Sequence, residues 1–135
     1  MKIFTALCAF VLVFGALIVG DVSAQVAVNK TFTLNWTAKG DDGNVGTATT
    51  YDIRYSVDSL TLVSWTGAIQ VLNEPAPKIA GSAESFTVSL PLLEGVKYYF
   101  GIKIADEASN WSGPSNILVK FFPDLTPPDA VTDLR

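Results

Sequence analysis

The sequence predicts an all-β fold in which two antiparallel sheets pack face to face. Apolar and polar residues alternate with a period of two in several short segments, and Gly, Pro, Asn and Asp residues separate those segments. Beyond the apolar N-terminal stretch there is no helical pattern of useful length. Each segment has one apolar face, so a second sheet must cover it, because a lone sheet would leave that face in water.

Strands are predicted where the alternation is clearest. The segments are 31–37, 51–56, 85–90, 97–105 and 115–121, with a weaker strand within 62–71 around Trp65 and Ile69. The residues expected to point inward are Phe32, Leu34, Trp36, Tyr51, Ile53, Tyr55, Phe86, Val88, Leu90, Tyr98, Phe100, Ile102, Ile104, Ile117, Val119 and Phe121. Together they would form the core between the two sheets.

The N-terminus has the features of a secretory signal peptide. Lys2 precedes an uncharged apolar run over 3–20, and Val22, Ser23 and Ala24 fit the small-residue preference for cleavage before Gln25. We therefore assign 1–24 as a signal peptide and expect a secreted or cell-surface protein without membrane attachment after cleavage. The alternative is an uncleaved anchor, because such a run would span about 27 Å as a helix.

The composition of the remaining chain narrows its chemistry. From Gln25 onward there is no cysteine and no histidine, and the net charge is −4. This composition provides no imidazole base, no thiolate and no zinc site with nitrogen or sulfur ligands, and no nucleophile-elbow motif occurs. The acidic balance argues against nucleic acid and anionic lipid as partners. We predict a protein that is not an enzyme and has no cofactor or metal.

Three stretches resemble the fibronectin type III domain, in the version found in large secreted bacterial proteins. They are LNWTA, GDDGNVGTATTYDIRYS and GVKYYFGIKIADEASNWSGPSN. Their order and spacing extend the resemblance over roughly 31–122. The resemblance implies an immunoglobulin-like sandwich over 25–122 that works as a spacer or as a protein-interaction and adhesion module. The alternative function is an accessory module of a secreted hydrolase that binds carbohydrate or substrate.

The resemblance also assigns structural roles. Trp36 would pack between the sheets beside Tyr51, Ile53 and Ile102, with Phe100 in the same core. Tyr98 would form a tyrosine corner, in which the hydroxyl bonds to backbone a few residues upstream. Tyr99 competes for that role, but the parity of Tyr98 matches the inward residues of its strand.

Both ends of the chain depart from the family pattern. Only 25–30 precede the first predicted strand, where a type III domain has a full strand A. After the last strand, 123–135 read as a linker and the start of another repeat, so the chain is either a fragment of a tandem array or a complete short protein. One hypothesis is that this tail fills the strand A position of the next molecule, giving head-to-tail self-association. The alternative is that 25–30 pair adequately and the tail is a stub.

Two loops contain candidate sites. The run 40–44 is rich in Asp, Asn and Gly, but it lacks the ligand spacing of a calcium loop and is interpreted as a turn. Asp106 is expected to cap loop amides. Glu107, Asn110 and Trp111 form a weak ligand-contact loop, where Trp111 offers a ring for a protein or glycan partner.

Overall fold

The structure, a computed structural model, describes residues 25–135 and places six strands there. They are β1 (Val28–Thr37), β2 (Thr50–Ser56), β3 (Ile69–Gln70), β4 (Ala83–Leu92), β5 (Lys97–Ala105) and β6 (Leu118–Phe121), with one short 3-10 turn at Trp65–Gly67. One sheet pairs β1 with β4, and the other has the order β3-β2-β5-β6, with all pairs antiparallel. The predicted all-β, two-sheet antiparallel architecture is confirmed. The predicted signal peptide lies outside the described residues.

The core lies between the two sheets, where the apolar faces of the strands meet. Its buried members are Leu34, Tyr51, Ile53, Tyr55, Val71, Val88, Leu92, Tyr98 and Phe100. Half-buried residues packed against them include Phe32, Trp36, Phe86, Leu90, Ile102 and Ile104. Every residue predicted to point inward from the first four strong segments belongs to one of these two groups, because each strand keeps its period of two.

The inward face predicted for the last strand is wrong. Leu118 pairs with Phe100 across the β5–β6 ladder, so the even-numbered residues of β6 share the inward face. Val119 and Phe121 are exposed on the opposite face, and Ile117 contacts that opposite side of β5 as well. Phe122, one residue beyond β6, packs against the core.

Serine side chains explain why the alternation fails in this segment. Residues 112–117 are not a strand, because Ser112 and Ser115 accept hydrogen bonds at 3.1 Å from the backbone N–H groups of Ile104 and Ile102. Each serine also donates its backbone N–H to the carbonyl oxygen of the same β5 residue at 2.9 Å. The three steps from Ser112 to Ser115 therefore oppose only two steps on β5, and strict two-residue alternation is lost. Pairing in β6 begins only at Leu118, in the opposite phase.

The weak strand predicted around Trp65 is shorter than expected and is displaced. Only Ile69 and Gln70 pair with β2, and the next residue, Val71, enters the core. Trp65 instead begins the 3-10 turn and is buried on the outer face of the four-stranded sheet, at 3% exposure. Its ring lies over Gly101, whose missing side chain leaves room for it.

Polar contacts fix the Trp65 side chain on this outer face. Its Nε1 donates a 2.8 Å hydrogen bond to Oδ2 of Asp52, and Arg54 Nε lies 2.9 Å from Oδ1 of the same carboxylate. The guanidinium of Arg54 also donates to the backbone oxygen of Trp65 at 3.2 Å. Asp52 is therefore buried with charged and neutral partners, as a buried carboxylate requires.

Tyr98 makes the contact expected of a tyrosine corner. Its hydroxyl accepts a 2.8 Å hydrogen bond from the backbone N–H of Leu93, five residues upstream, and its ring is buried. Tyr99 points to the other face and is half-buried. The contact joins the end of β4 to the start of β5 across the two sheets.

Candidate polypeptide-binding groove

An apolar groove of about 530 Å³ opens between the sheets along β1. One wall is the second half of β1, from Leu34 to Thr37, and the other is formed by residues within 112–118. The floor is the inward face of the four-stranded sheet and consists of Tyr51, Ile53, Phe100, Ile102 and Ile104. The groove exists because residues 25–135 supply two strands to the sheet above this floor, which cannot cover all of it.

The β1 edge of this groove has backbone groups without a ladder partner. Ala38 N–H and C=O both bond toward the β4 side, to Ser82 and Gly81. In an antiparallel pair, successive residues point their backbone groups to alternate sides, so those of Thr33, Asn35 and Thr37 point away from β4. Among residues 25–135, β1 pairs with β4 alone. This edge can therefore accept an added strand.

Trp36 lines the groove and is not fully enclosed. Its ring meets Tyr51 edge-to-face, with centroids 5.2 Å apart, but the side chain is only half-buried. Its Nε1 is buried and makes no hydrogen bond of good geometry among the described residues, although it lies near enough to the Tyr51 hydroxyl to lower the pKa of that group. The predicted neighbours of Trp36 are thus present, whereas the covering expected on its other side is missing. An unsatisfied buried donor of this kind carries an energetic cost.

Two lysines lie in and beside the groove. Lys39 is the charged residue among those that line it. Beyond its other end, Lys120 holds its ammonium 5.6 Å from the centre of the Phe32 ring, which lets an edge lysine occupy an inward position. The groove therefore combines an apolar floor with a lysine near each end.

A buried carboxylate lies on β4, opposite Trp36. Glu84 accepts hydrogen bonds from the backbone N–H of Lys78 at 2.8 Å and from the Tyr51 hydroxyl at 3.2 Å. Burial alone would raise the pKa of Glu84, but these hydrogen bonds and the Lys78 ammonium hold it below its ordinary value. Burial also raises the pKa of Tyr51. These contacts fix the loop before β4.

The loop after β5 contains the predicted ligand-contact residues Glu107, Asn110 and Trp111. Asp106 accepts 2.8 Å hydrogen bonds from the backbone N–H and the side-chain amide of Asn110, and those bonds lower the pKa of Asp106. Asp106 is thus the loop cap that the sequence predicts. Glu107 is exposed, and Trp111 is 47% exposed beside a single bridge to Ala105. Glu107 and the Trp111 indole thus remain open to solvent, whereas the Asn110 side chain is held by Asp106.

The Asp-rich run after β1 forms a tight turn. Asp42 and Val45 form an antiparallel bridge, Gly43 has a φ of 69°, and Asp41 accepts a hydrogen bond from the next backbone N–H. Lys39 bonds the side-chain oxygen of Asn44 at 2.9 Å. Within residues 25–135, no three His, Cys, Asp or Glu side chains are grouped so as to hold a metal ion. Nor does that part of the chain contain a helix long and apolar enough to cross a membrane.

Comparison with known proteins gives distant relatives only. Calcium-activated chloride channel regulator 1 of Equus caballus and of Homo sapiens are each 33% identical over 116 residues. Calcium-activated chloride channel regulator 4 of Homo sapiens is 34% identical over the same length. The match covers 81% of this chain but 13% of the regulator 1 proteins, so the chain is similar to a small part of much longer proteins. No family model matches the chain, and no solved structure matches it significantly.

Proposed function

We propose that the chain is exported and that 25–122 form a non-catalytic fibronectin type III module, which binds polypeptide at the exterior of the cell. The observation that carries this proposal is the free edge of β1 beside an apolar groove. Backbone groups in a row above an apolar floor suit an extended chain, which needs main-chain partners and pockets for alternate side chains. The chain matches only a small part of much longer relatives, and this supports a modular role in a larger protein.

The strand order supports the type III assignment. The pair β1-β4 and the order β3-β2-β5-β6 correspond to strands B and E and to strands C′, C, F and G of that family. The bond from Leu93 to the Tyr98 hydroxyl supports it as well. In this correspondence no strand among residues 25–135 takes the position of strand A, and that position is the groove along β1.

The positions of residues 25 and 122, which flank the sandwich, favour an interaction module over a linear spacer. Gln25 bonds the backbone oxygen of Glu94, and Gly95 N–H bonds the backbone oxygen of Phe122 at 2.7 Å. Residues 25 and 122 therefore lie at the same end of the sandwich. A link that spaces two neighbours needs its chain to enter at one end and leave at the other.

Export is tested by expressing the full reading frame and measuring the N-terminal mass of the protein recovered from the medium. We expect a chain that begins at Gln25, in line with cleavage after Ala24. Protein that keeps 1–24 in the membrane fraction would instead identify that segment as an anchor.

Polypeptide binding is tested on the exported chain with a soluble heptapeptide that alternates valine and threonine and ends in aspartates. Asn35→Pro removes one outward backbone donor of β1 without touching the ladder to β4, and Asn35→Ala is the matched control that keeps the donor. We expect wild type and Asn35→Ala to bind the peptide on a biosensor and Asn35→Pro to lose binding. Equal binding by all three would refute the β1 edge as the contact surface.

The exposed Trp111 supports a second function, an accessory role in carbohydrate binding. An open indole on a loop is a surface on which a sugar ring can stack. Titration with soluble oligosaccharides should then shift tryptophan fluorescence in wild type and leave Trp111→Ala unchanged. No shift with cello-, chito- or malto-oligosaccharides would argue against this role.

A further inference from the structure

We propose that the groove along β1 is filled by residues 129–135 of a second copy of this chain, which add to β1 as a third strand of its sheet. This inference rests on the proposed function, because it names the partner of the same groove. The exchange would link molecules head to tail, since the groove and the tail are different surfaces of one chain.

The tail is available for such pairing. Residues 123–135 are all exposed, and 129–135 make no backbone hydrogen bond among the described residues. Pro127 and Pro128 hold the linker that leads to this segment extended. Val131 and Leu134 are 78% and 92% exposed, so their apolar surface has no cover within this copy.

Alternation decides which residues would enter the groove. In a strand, Ala130, Thr132 and Leu134 share one face, and Val131 and Asp133 share the other. The first face contains no charge, whereas the second would carry Asp133 into an apolar space without a partner. Leu134 therefore inserts over the floor of the groove, and Val131 remains on the solvent side of the sheet.

Charge complementarity supports this occupant. The tail contains Asp124, Asp129 and Asp133 against Arg135 alone, so its side chains are net negative. Lys39 lines the groove, and Lys120 lies beyond its other end. Opposite charges on the two surfaces speed encounter and favour this partner, and added salt weakens both effects.

A second copy is a better donor than the same molecule. The tail leaves the sandwich after Phe122, at the end where β1 begins, and its residues 123–135 are all exposed. To reach its own groove, the chain would have to reverse before Pro127 and run back alongside β1. A copy placed end to end supplies the tail without that reversal.

The test is light scattering coupled to size-exclusion chromatography, on exported wild type and on full-length variants, from micromolar to millimolar concentration. We expect the mass of wild type to rise with concentration past that of a dimer, and to fall again in added salt. Leu134→Asp should lower the association constant at least about tenfold, because a charge would enter the groove. Val131→Asp is the matched control on the opposite face and should lower the association constant less. Asn35→Pro should abolish association, and Asn35→Ala should retain it.

The other outcomes overturn the proposal in distinguishable ways. If wild type stays monomeric while the valine–threonine peptide still binds, the groove accepts strands but the tail is not its occupant. If neither occurs, the proposed function fails as well. If wild type stays monomeric and Leu134→Asp speeds amide exchange at Asn35, the tail folds back on its own molecule. Equal effects of Leu134→Asp and Val131→Asp would refute the assigned register.

Discussion

Replacing Trp65 tests whether the outer face of the four-stranded sheet is a second packed layer. The indole is buried at 3% exposure over Gly101, and its Nε1 donates to Asp52 at 2.8 Å. Lys103 holds its ammonium 5.5 Å from the ring centre. Trp65→Ala removes all of these contacts at once, whereas Trp65→Phe keeps most of the apolar area and removes the hydrogen bond.

The expected losses differ for the two variants. Truncating a buried tryptophan to alanine costs about 3–5 kcal/mol in unfolding free energy. Leaving a buried acceptor without its hydrogen bond, here the Asp52 carboxylate, costs about 1–3 kcal/mol. The salt bridge to Arg54 remains, so this cost should lie toward the lower end of the range. We expect about 4–6 kcal/mol for Trp65→Ala and about 1–3 kcal/mol for Trp65→Phe. The larger loss is a substantial part of the 5–15 kcal/mol that typically stabilises a domain.

Denaturant unfolding followed by far-ultraviolet circular dichroism measures both losses without depending on the fluorescence of the residue replaced. The phenylalanine variant keeps the test informative if the alanine variant does not fold. A loss below about 1 kcal/mol for Trp65→Ala would refute the reasoning, because it would mean that this loop does not pack on the sheet in solution.

Three further predictions concern the core and the pH dependence. Trp36→Ala should lower the unfolding free energy by about 2–3 kcal/mol, less than is usual for a core tryptophan, because the ring is half-buried. Trp111→Ala should lower it by about 1 kcal/mol or less, because that side chain is exposed. Denaturant melts of the two variants compare these losses. Tyr98→Phe should cost about 1 kcal/mol through the lost bond to Leu93, measured in the same way. The lowered pKa of Glu84 stabilises the fold above the carboxyl's unfolded pKa, and this contribution is lost as pH falls through the lower folded value. Thermal melts from neutral to acidic pH should therefore show a steeper loss for wild type than for Glu84→Gln; parallel curves would refute the assignment.

The main architecture could be predicted because period-two alternation reports directly on which face of a strand is buried. This worked for the first four strong segments, where ladders on β1, β2, β4 and β5 keep the phase. It failed near β6, where Ser112 and Ser115 bond to β5 through their side chains and shift the phase by one residue. Side-chain bonds to a neighbouring strand leave no trace in hydrophobic periodicity.

Two buried carboxylates illustrate what local patterns reveal and what they do not. Glu84 has the inward parity of Phe86 and Val88, so its burial was available from the sequence. Asp52 has outward parity and is buried only because the loop containing Trp65 folds back over it. Its burial depends on tertiary contacts of a segment without regular structure.

The candidate site followed from the sequence only in part. The short segment before β1 indicated an open edge, and the structure places a groove beside that edge. The groove's walls and the unpartnered Nε1 of Trp36 depend on the separation of the sheets, which no local pattern specifies. The loop residues Glu107, Asn110 and Trp111 were grouped by proximity in sequence, yet the cap formed by Asp106 and Asn110 separates their roles.

Amide hydrogen exchange along β1, resolved by residue with NMR, tests the open edge most directly. It is measured on dilute exported chain, where any association between copies is absent. We predict alternation: slow exchange at Leu34 and Trp36, whose N–H groups face β4, and much faster exchange at Thr33 and Asn35, whose N–H groups face the groove side. Equal protection of all four amides in the monomer would show that another part of the chain already covers this edge, and would contradict a free binding surface there.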